Sequence, residues 1–330
     1  MSSDSLLEVK DLNVWLPGRR RGTRVHIVRD VSFTVGRGER LGVVGESGCG
    51  KSTTLLSLVG LLPARAAVSG SILLDGVDIL GGAAPRGHAL DAVRGRDIGV
   101  VLQSSMNTLN PVYRVDRQLR EVLPAQVRAD STTARARISE LLDRVGLPDR
   151  VARAYPHELS GGMRQRIAIA MALAPEPKLL LADEPTTALD TIVQARIMEL
   201  LDTLCADDQL AVILVSHHLA LAAQFCDRLM VMYAGRVIEQ ASRQEISGNP
   251  AHPYTRLLLA ATADLGTHKD DVITIPGAPP SLTLAHSGCP FAPRCPERFD
   301  ACTTAVPALD RVAADHHVSC FARRTASVSA

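Results

Sequence analysis

The sequence predicts an α/β fold, because short apolar runs alternate with helical stretches along the chain. Four of the runs are apolar throughout, as strands buried on both faces of a parallel sheet are: residues 98–102, 178–182, 210–215 and 229–233. Helical stretches lie between them, notably at residues 134–145, 161–174 and 191–206. The chain of 330 residues is long enough for one large domain and a smaller one.

A β-rich segment opens the chain. Residues 6–14, 25–35 and 40–45 mix β-branched residues with turn signals, and residues 71–79 add a short strand and a turn. We expect an antiparallel β subdomain here. Residues 104–175 are rich in helix and lie between two core strands, which indicates a helical subdomain.

The pattern changes near residue 245. Five prolines break up residues 246–285, and four of the seven cysteines follow between residues 289 and 320. We therefore divide the chain into a main domain over residues 1–245 and a C-terminal module over residues 246–330.

Composition excludes some classes of protein. A hydrophobic content of 46% supports a packed core, and a net charge of +1 gives no indication of nucleic-acid binding. No apolar run reaches the roughly 18 residues needed to cross a bilayer, and the first residues lack the regions of a signal peptide. We expect a cytosolic protein, for which any membrane function needs separate membrane-spanning partners.

A phosphate-binding loop is predicted after the apolar residues 41–44. The loop has the spacing Gly-x-x-x-x-Gly-Lys-Ser and leads into a helix expected to begin near Ser52. Glycines let backbone N–H groups turn toward phosphates, so Lys51 should bridge the β- and γ-phosphates and Ser52 should ligate Mg²⁺. The alternative is a structural Gly-rich turn. The predicted nucleotide-binding residues are Gly45, Glu46, Ser47, Gly48, Cys49, Gly50, Lys51, Ser52 and Thr53.

An acidic pair, Asp183-Glu184, directly follows the apolar residues 179–182. A strand that delivers a carboxylate at its C-terminal end is the second half of a P-loop ATPase site. Asp183 is predicted to hold Mg²⁺, and Glu184 to polarise the attacking water. Taken alone, such a pair is also consistent with a helix cap.

Ser160 is predicted to cap a helix that begins with Gly161 and Gly162 and that Pro175 ends. A helix N-terminus with two glycines can serve as a second anion site. The alternative is a capped amphipathic helix with no ligand.

Together and in this order, these segments resemble the ATP-binding cassette (ABC) ATPases. A P-loop alone also fits kinases, GTPases and helicases, whereas the Leu-Ser-Gly-Gly segment that ends at Gly162 is a signature of this family. The resemblance implies a P-loop, RecA-like ABC nucleotide-binding domain that uses ATP and Mg²⁺. It also implies a head-to-tail dimer in which the signature completes the ATP site of a second ABC ATPase, and it adds Asp190 to the nucleotide-binding residues.

Three further positions follow from the resemblance. Gln103, after residues 98–102, matches the loop glutamine that touches Mg²⁺ or the lytic water and senses the membrane subunit. His217 matches the switch histidine that contacts the γ-phosphate. Trp15 matches the aromatic residue that stacks on adenine, and it is equally consistent with a core strand residue.

The residues after 245 resemble the C-terminal extension of oligopeptide/dipeptide importer ATPases. Three segments carry this resemblance: Asn249-Pro-Ala-His-Pro-Tyr-Thr255, Pro276-Gly-Ala-Pro-Pro-Ser281 and Gly288-Cys-Pro-Phe-Ala-Pro-Arg-Cys-Pro296. The same branch includes nickel, opine and glutathione importers. Ser104-Ser105 and His218 depart from the branch, which usually has Asp-Pro and Asp there.

This second resemblance implies an ATP-hydrolysing subunit at the cytoplasmic face of the cell membrane. The implied partners are two transmembrane permease subunits, docked near residues 103–110, an extracytoplasmic solute-binding protein, and a second ATPase that is identical or homologous. The first alternative is an importer ATPase for nickel, opine, glutathione or another small solute. The others are a soluble ABC ATPase of translation or DNA repair and an iron–sulfur redox sensor.

Four cysteines of the module form the last predicted site: Cys289, Cys295, Cys302 and Cys320. Four thiolates can bind zinc or an iron–sulfur cluster, and this spacing lacks the Cys-x-x-Cys knuckles of zinc ribbons. The resemblance implies a [4Fe-4S] cluster, while zinc and unligated or disulfide-bonded cysteines stay open. We expect this site to be distant from the P-loop.

Cys49 stands inside the P-loop, where relatives commonly have serine. Backbone N–H groups, a helix N-terminus and Lys51 all favour a thiolate there, so the pKa of Cys49 is expected to fall and its reactivity to rise. The alternative is a small residue that only fills the loop.

Overall fold

The structure is a computed structural model that describes residues 5–18, 20, 22–80, 90, 93–103, 108–187, 189–263, 275–283 and 287–323. These residues form two compact units. The first unit lies within residues 1–35, 40–83 and 214–330, and the second within residues 36–39 and 84–213.

The described strands are β1 Ser5–Pro17, β2 Arg24–Gly36, β3 Arg40–Val44, β4 Ala67–Leu74, β5 Val77–Asp78, β6 Ile98–Val101, β7 Leu179–Asp183, β8 Ala211–Ser216, β9 Arg228–Tyr233, β10 Arg236–Ser242, β11 Asp310–Ala313 and β12 His316–Val318. The α-helices are α1 Lys51–Ser57, α2 Val115–Val122, α3 Ala125–Ala129, α4 Ser131–Arg144, α5 Gly161–Leu173, α6 Thr191–Asp208, α7 Leu219–Phe225, α8 Arg243–Gly248, α9 Pro253–Ala263 and α10 Ala301–Thr304. Short 3-10 helices lie at Asp149–Arg153, Pro156–Glu158, Ala292–Arg294 and Phe321–Arg323.

The first sheet of the first unit has the strand order β2-β1-β4-β5. β4 is antiparallel to both β1 and β5, with Val9 opposite Ile72. Both of these side chains are buried, as expected for two residues that lie opposite each other on the inner face of a sheet. A bulge between Lys10 and Asn13 bends β1, and Asp11 within it adopts a left-handed backbone conformation with φ 48°. The antiparallel β subdomain was predicted from these segments.

The second sheet of this unit brings the N-terminal core strand and the C-terminal strands together. β3 runs parallel to β9, with Val44 opposite Val231. β10 is antiparallel to β9 and to β12, and β12 is antiparallel to β11. Because β3 and β9 are parallel, their C-terminal ends reach the same edge of the sheet. The P-loop after β3 and Tyr233 at the end of β9 therefore lie at one edge.

The second unit has its own pair of parallel strands and a helical layer. β6 and β7 pair in parallel, with Val101 opposite Ala182, so that the segments after them also leave from one edge. Helices α2, α4 and α5 pack on one another through apolar side chains that include Leu119, Leu142 and Ile167. The chain passes from the second unit to the first within β8.

Side chains and backbone conformation fix where these helices begin and end. Asp130 caps α4 by accepting hydrogen bonds from the backbone N–H groups of Thr132 and Thr133, at 3.0 and 2.8 Å. Gln209, with φ 50°, ends α6 in the left-handed conformation that commonly stops a helix.

Most predicted elements are present, with bounds shifted by a few residues. The short strand and the turn expected within residues 71–79 are both present: β4 ends at Leu74, and Asp75 and Gly76 form a turn with positive φ at both positions. A second short strand, β5, follows the turn. The helix expected near Ser52 begins at Lys51. Among the helices of the described ranges, none is both long enough and apolar enough to span a bilayer.

Candidate active site

The P-loop follows β3 and depends on glycine at both of its ends. Gly45 has φ 152°, and a Cβ there would lie 2.3 Å from the carbonyl oxygen of Met232. Gly50 has φ 110°, and a Cβ there would lie 3.1 Å from the carbonyl oxygen of Ile27. Any larger residue would displace the loop from the neighbouring backbone, so the loop keeps the close packing that only glycine allows.

Lys51 begins α1 and is held inside the loop. Its ammonium group donates hydrogen bonds to the carbonyl oxygens of Gly45, at 2.7 Å, and Glu46, at 3.0 Å. The side chain is buried. The loop backbone therefore sets the position of the cation that the sequence predicts to contact phosphate.

Glu46, the second residue of the P-loop, is held by the C-terminal extension. Its backbone N–H donates to the hydroxyl oxygen of Tyr254 at 2.9 Å. Its carboxylate accepts two hydrogen bonds from the guanidinium group of Arg294, at 2.7 and 2.9 Å. Residues of the extension therefore contact the P-loop directly.

Aromatic packing surrounds this contact. The rings of Tyr233, Tyr254 and Phe291 lie with their centroids 4.7 to 5.4 Å apart. Burial raises the pKa of the Tyr254 hydroxyl well above its ordinary value, which keeps the phenol neutral. Hydrogen bonding to Glu46 raises the pKa of Arg294, so the guanidinium stays charged. The site thus combines a charged pair with an apolar wall, which strengthens the ionic hydrogen bonds.

Sequence patterns alone did not identify Arg294 or Tyr254 as part of the P-loop site. Tyr254 belongs to the His-Pro-Tyr segment. The sequence analysis used this segment to identify a branch of the family and predicted no contact for it. Arg294 and Glu46 are 248 positions apart, and no local pattern connects them.

Cys49 differs from expectation. The thiol is buried, and burial raises its pKa, although the charge of Lys51 and nearby backbone groups act to lower it. The predicted fall in pKa is wrong, because the electrostatic reasoning left out the loss of hydration. Cys49 is a buried, protonated thiol at neutral pH.

The second unit places Asp183 and Glu184 at the end of β7. The side chain of Asp183 is buried. Glu184 has φ 46°, a left-handed conformation that costs a non-glycine residue on the order of 1 kcal/mol. The backbone N–H of Thr187 donates to the carbonyl oxygen of Glu184 at 3.2 Å and supports this turn.

The carboxylate of Glu184 is oriented by two donors. The side-chain amide of Gln103 and the hydroxyl of Thr187 each donate to the same oxygen, Oε2, at 2.9 Å. The structure thus brings together two of the residues that the sequence predicts to act in catalysis. Thr187 is a partner that the sequence analysis did not single out.

The N-termini of α5 and α6 lie close together in this unit. The hydroxyl of Ser160 caps α5 by accepting from the N–H of Met163 at 3.3 Å, and Asp190 caps α6 by accepting from the N–H of Val193 at 2.9 Å. A Cβ at Gly162 would lie 2.7 Å from a methyl carbon of Val193. Ser160 and Asp190 are exposed. Glycine at position 162 therefore permits the close approach of the two helices.

Trp15 and His217 lie in the first unit. Trp15 is half-buried in β1, and its ring stacks on that of His26 with centroids 4.5 Å apart. His217 follows β8, is exposed, and lies against the ring of His218 at 4.1 Å. Ser104 and Ser105, which depart from the pattern of the branch, lie outside the described residues.

The four cysteines of the extension surround one small cavity of about 20 Å³, together with His252. All four are free thiols. Burial raises the pKa of Cys289 to about 11 and also raises those of Cys295 and Cys320. Within the described residues, no three His, Cys, Asp or Glu side chains are arranged to hold a metal ion.

Comparisons with known proteins agree with this geometry. The family model described as ABC transporter matches residues 28–187, and that of the oligopeptide/dipeptide transporter C-terminal region matches residues 238–302. The oligopeptide transport ATP-binding protein OppD of Mycobacterium tuberculosis is 46% identical over 96% of this chain, which covers 52% of that relative. The OppD of Escherichia coli is 44% identical over 92% of this chain and 90% of its own length. The chain thus spans about half the length of the mycobacterial relative.

Solved structures show the same fold. One is cbiO1 from Clostridium perfringens, part of the ABC transporter complex cbiONQ, with a TM-score of 0.63, 29% identity, and coverage of 74% of this chain and 92% of that one. Another is the ATP-binding cassette MJ0796, a dimer in a post-hydrolysis state with ADP and Pi, with a TM-score of 0.62, 28% identity, and coverage of 72% and 98%. The predicted ABC nucleotide-binding fold is confirmed. The chain belongs to the ABC transporter family of ATP-binding proteins, in the group with the oligopeptide/dipeptide transporter C-terminal region.

Proposed function

We propose that this protein is the ATP-hydrolysing subunit of a binding-protein-dependent importer of oligopeptides or dipeptides. The observation that carries the proposal is the Glu184 carboxylate at the end of β7, oriented by Gln103 and Thr187. An oriented carboxylate can accept the proton of an attacking water, which is the part of ATP hydrolysis that a general base supplies. The glycine-bounded P-loop with Lys51 supplies the matching phosphate site.

Each site residue has a defined part in this proposal. The P-loop backbone and Lys51 bind the β- and γ-phosphates, Trp15 stacks on adenine, and His217 contacts the γ-phosphate. Glu184 takes the proton from water while Gln103 holds its carboxylate in place. The hydroxyl of Ser52 and the buried carboxylate of Asp183 are the hard oxygen donors that Mg²⁺ prefers. When bound, the ion neutralises charge on the phosphate oxygens.

A second ATPase completes the site in a head-to-tail dimer. Ser160 and Asp190 are exposed at the starts of α5 and α6, and Ile192 beside them is 65% exposed. A large apolar side chain exposed beside two polar helix N-termini supports an interface that forms over bound nucleotide. The dimer described for MJ0796 is consistent with this arrangement. The second subunit is either a copy of this chain or a homologue.

The remaining partners follow from the family. The proposal includes two transmembrane permease subunits, an extracytoplasmic solute-binding protein, and a peripheral position on the cytoplasmic face of the membrane. Val112, which is 73% exposed just after residues 103–110, supports docking of a permease at this loop. The names of the relatives, which are oligopeptide transport proteins, support a peptide substrate.

A [4Fe-4S] cluster in the extension is the finer part of the proposal. Four free thiols around one cavity are a suitable donor set, although the described side chains do not stand in a ligating arrangement. The raised pKa values of Cys289, Cys295 and Cys320 mean that these three thiols are protonated at neutral pH, so ligation by them would release protons. The residues that would hold the group are Cys289, Cys295, Cys302 and Cys320. We propose that these four residues, by binding the cluster, stabilise the fold of the C-terminal Cys-containing module of residues 246–330.

The Glu184→Gln variant tests the catalytic assignment. Because only the proton acceptor is removed, MgATP binding should persist while turnover in the assembled transporter falls by at least about a hundredfold. Steady-state phosphate release and nucleotide binding measure the two effects separately. Glu199→Gln, which changes an exposed carboxylate on α6, is the matched control and should hydrolyse ATP at the parental rate. Parental turnover in Glu184→Gln would show that Glu184 is not the base.

Metal analysis of anaerobically purified protein tests the cluster. The cluster proposal predicts a brown protein with about four irons and four sulfides per chain, lost in Cys302→Ser. Cys205→Ser should keep the iron, because Cys205 is a buried residue of α6 and not part of the cavity. One zinc per chain without iron, or protein without metal, contradicts the cluster.

Cys49 should be protected from thiol reagents. Since burial raises its pKa, maleimide should label Cys49 in the folded protein at pH 7.5 at least about tenfold more slowly than in the denatured chain. Labelling should accelerate as pH rises through the raised pKa, above the ordinary thiol range. Peptide mass spectrometry measures the rate at this one site. Faster labelling in the folded protein would restore the thiolate interpretation.

A further inference from the structure

The residue Glu46 is fixed at three points, and two of them belong to the C-terminal extension. Its N–H donates to Tyr254, its carboxylate pairs with Arg294, and its carbonyl oxygen accepts from Lys51. A loop residue whose backbone N–H, backbone carbonyl and side chain are all hydrogen-bonded has little freedom to rotate. The extension therefore determines the backbone conformation at the start of the P-loop.

Arg294 is itself rigid. Its side chain is 6% exposed, and besides Glu46 it donates to the carbonyl oxygen of Pro276 at 2.7 Å and to the hydroxyl of Tyr233 at 3.1 Å. The planar guanidinium is thus oriented by the backbone of the extension and by the last residue of β9. A bidentate pair with Glu46 transmits that orientation to the carboxylate.

The same contacts reach the phosphate-binding cation. Lys51 takes its position from the carbonyl oxygens of Gly45 and Glu46, the second of which belongs to the clamped residue. If Glu46 turns, the peptide group between Glu46 and Ser47 turns with it, and the acceptor for the Lys51 ammonium moves. A displacement of about 1 Å in a binding group is enough to weaken a preorganised site.

We propose that Arg294 and Tyr254 of the C-terminal extension are positioning residues of the nucleotide site, which clamp Glu46 so that the P-loop is held in its phosphate-binding conformation. The inference rests on the proposed ATPase function, because it assigns the P-loop to phosphate. It gives the His-Pro-Tyr segment a physical role, in which the tyrosine hydroxyl accepts a hydrogen bond from the loop backbone. The extension acts on ATP binding through this clamp.

The test is the dissociation constant of MgATP for the full chain, measured by calorimetry together with the melting temperature. Arg294→Gln should raise the dissociation constant about tenfold, Arg294→Lys should raise it less, and Tyr254→Phe should raise it about threefold, because each loses fewer contacts. Combining Arg294→Gln with Glu46→Gln should cost little more than Arg294→Gln alone, since the two residues act through one contact.

Arg256→Gln is the matched control, because Arg256 pairs with Glu297 within the extension and makes no contact with the P-loop in the described hydrogen bonds and ion pairs. It should leave the dissociation constant unchanged.

Lys51→Ala separates the clamp from the proposed function. It should weaken binding of MgATP; if it does not, the assigned nucleotide site itself is wrong. If Lys51→Ala loses binding while Arg294→Gln and Tyr254→Phe bind as the parent does, whatever their melting temperatures, the clamp is refuted and the proposed function stands. Multiplied losses in the Glu46/Arg294 double variant would also refute it.

Discussion

The ion pair between Glu46 and Arg294 is the interaction on which the arrangement of the first unit depends. It joins the P-loop to the C-terminal extension across 248 positions of sequence, and the arginine is almost fully buried. Removing one partner of such a pair leaves a charge without compensation in a poorly hydrated place, which costs several kcal/mol, on the order of 3 to 5. The extension and the loop are therefore fixed to each other. The same stretch of extension also carries the cysteine cavity, because Arg294 lies between Cys289 and Cys295 and His252 lines the cavity two positions before Tyr254.

Parallel strand pairing positions the residues of the proposed site in each unit. In the first unit, β3 and β9 end at one edge, which brings the P-loop and Tyr233 together. In the second, β6 and β7 end at one edge, and Gln103 consequently reaches the carboxylate of Glu184. Glu184 directly follows the buried strand β7, where the backbone is firmly held, and its side chain is half-buried. Glu184 adopts a strained, left-handed backbone conformation at this position directly after β7.

The sequence identified the groups to which the proposed function assigns chemistry, but not the contacts that hold them. Lys51, Asp183 and Glu184 lie in short motifs with a direct chemical meaning, and the pairing of Gln103 with Glu184 follows from parallel strands. Arg294 lies in a segment that the sequence linked only to a family resemblance, and long-range pairing leaves no local pattern. Cys49 is a different case. The sequence correctly placed it near Lys51 and backbone N–H groups, which lower its pKa, but burial raises the pKa by more than these groups lower it. Burial is set by tertiary packing, which local sequence does not reveal.

The central claim is that the extension holds the P-loop in place, and amide hydrogen exchange at residues 45–51 tests it most directly. Exchange is compared in the parent, in Arg294→Gln and in Arg256→Gln, all as the full chain and without nucleotide. The clamp predicts that Arg294→Gln exchanges these amides about tenfold faster than the parent, since a tenfold change corresponds to about 1.4 kcal/mol of local opening free energy, and that Arg256→Gln exchanges them at the parental rate. Equal exchange in all three proteins would contradict the claim.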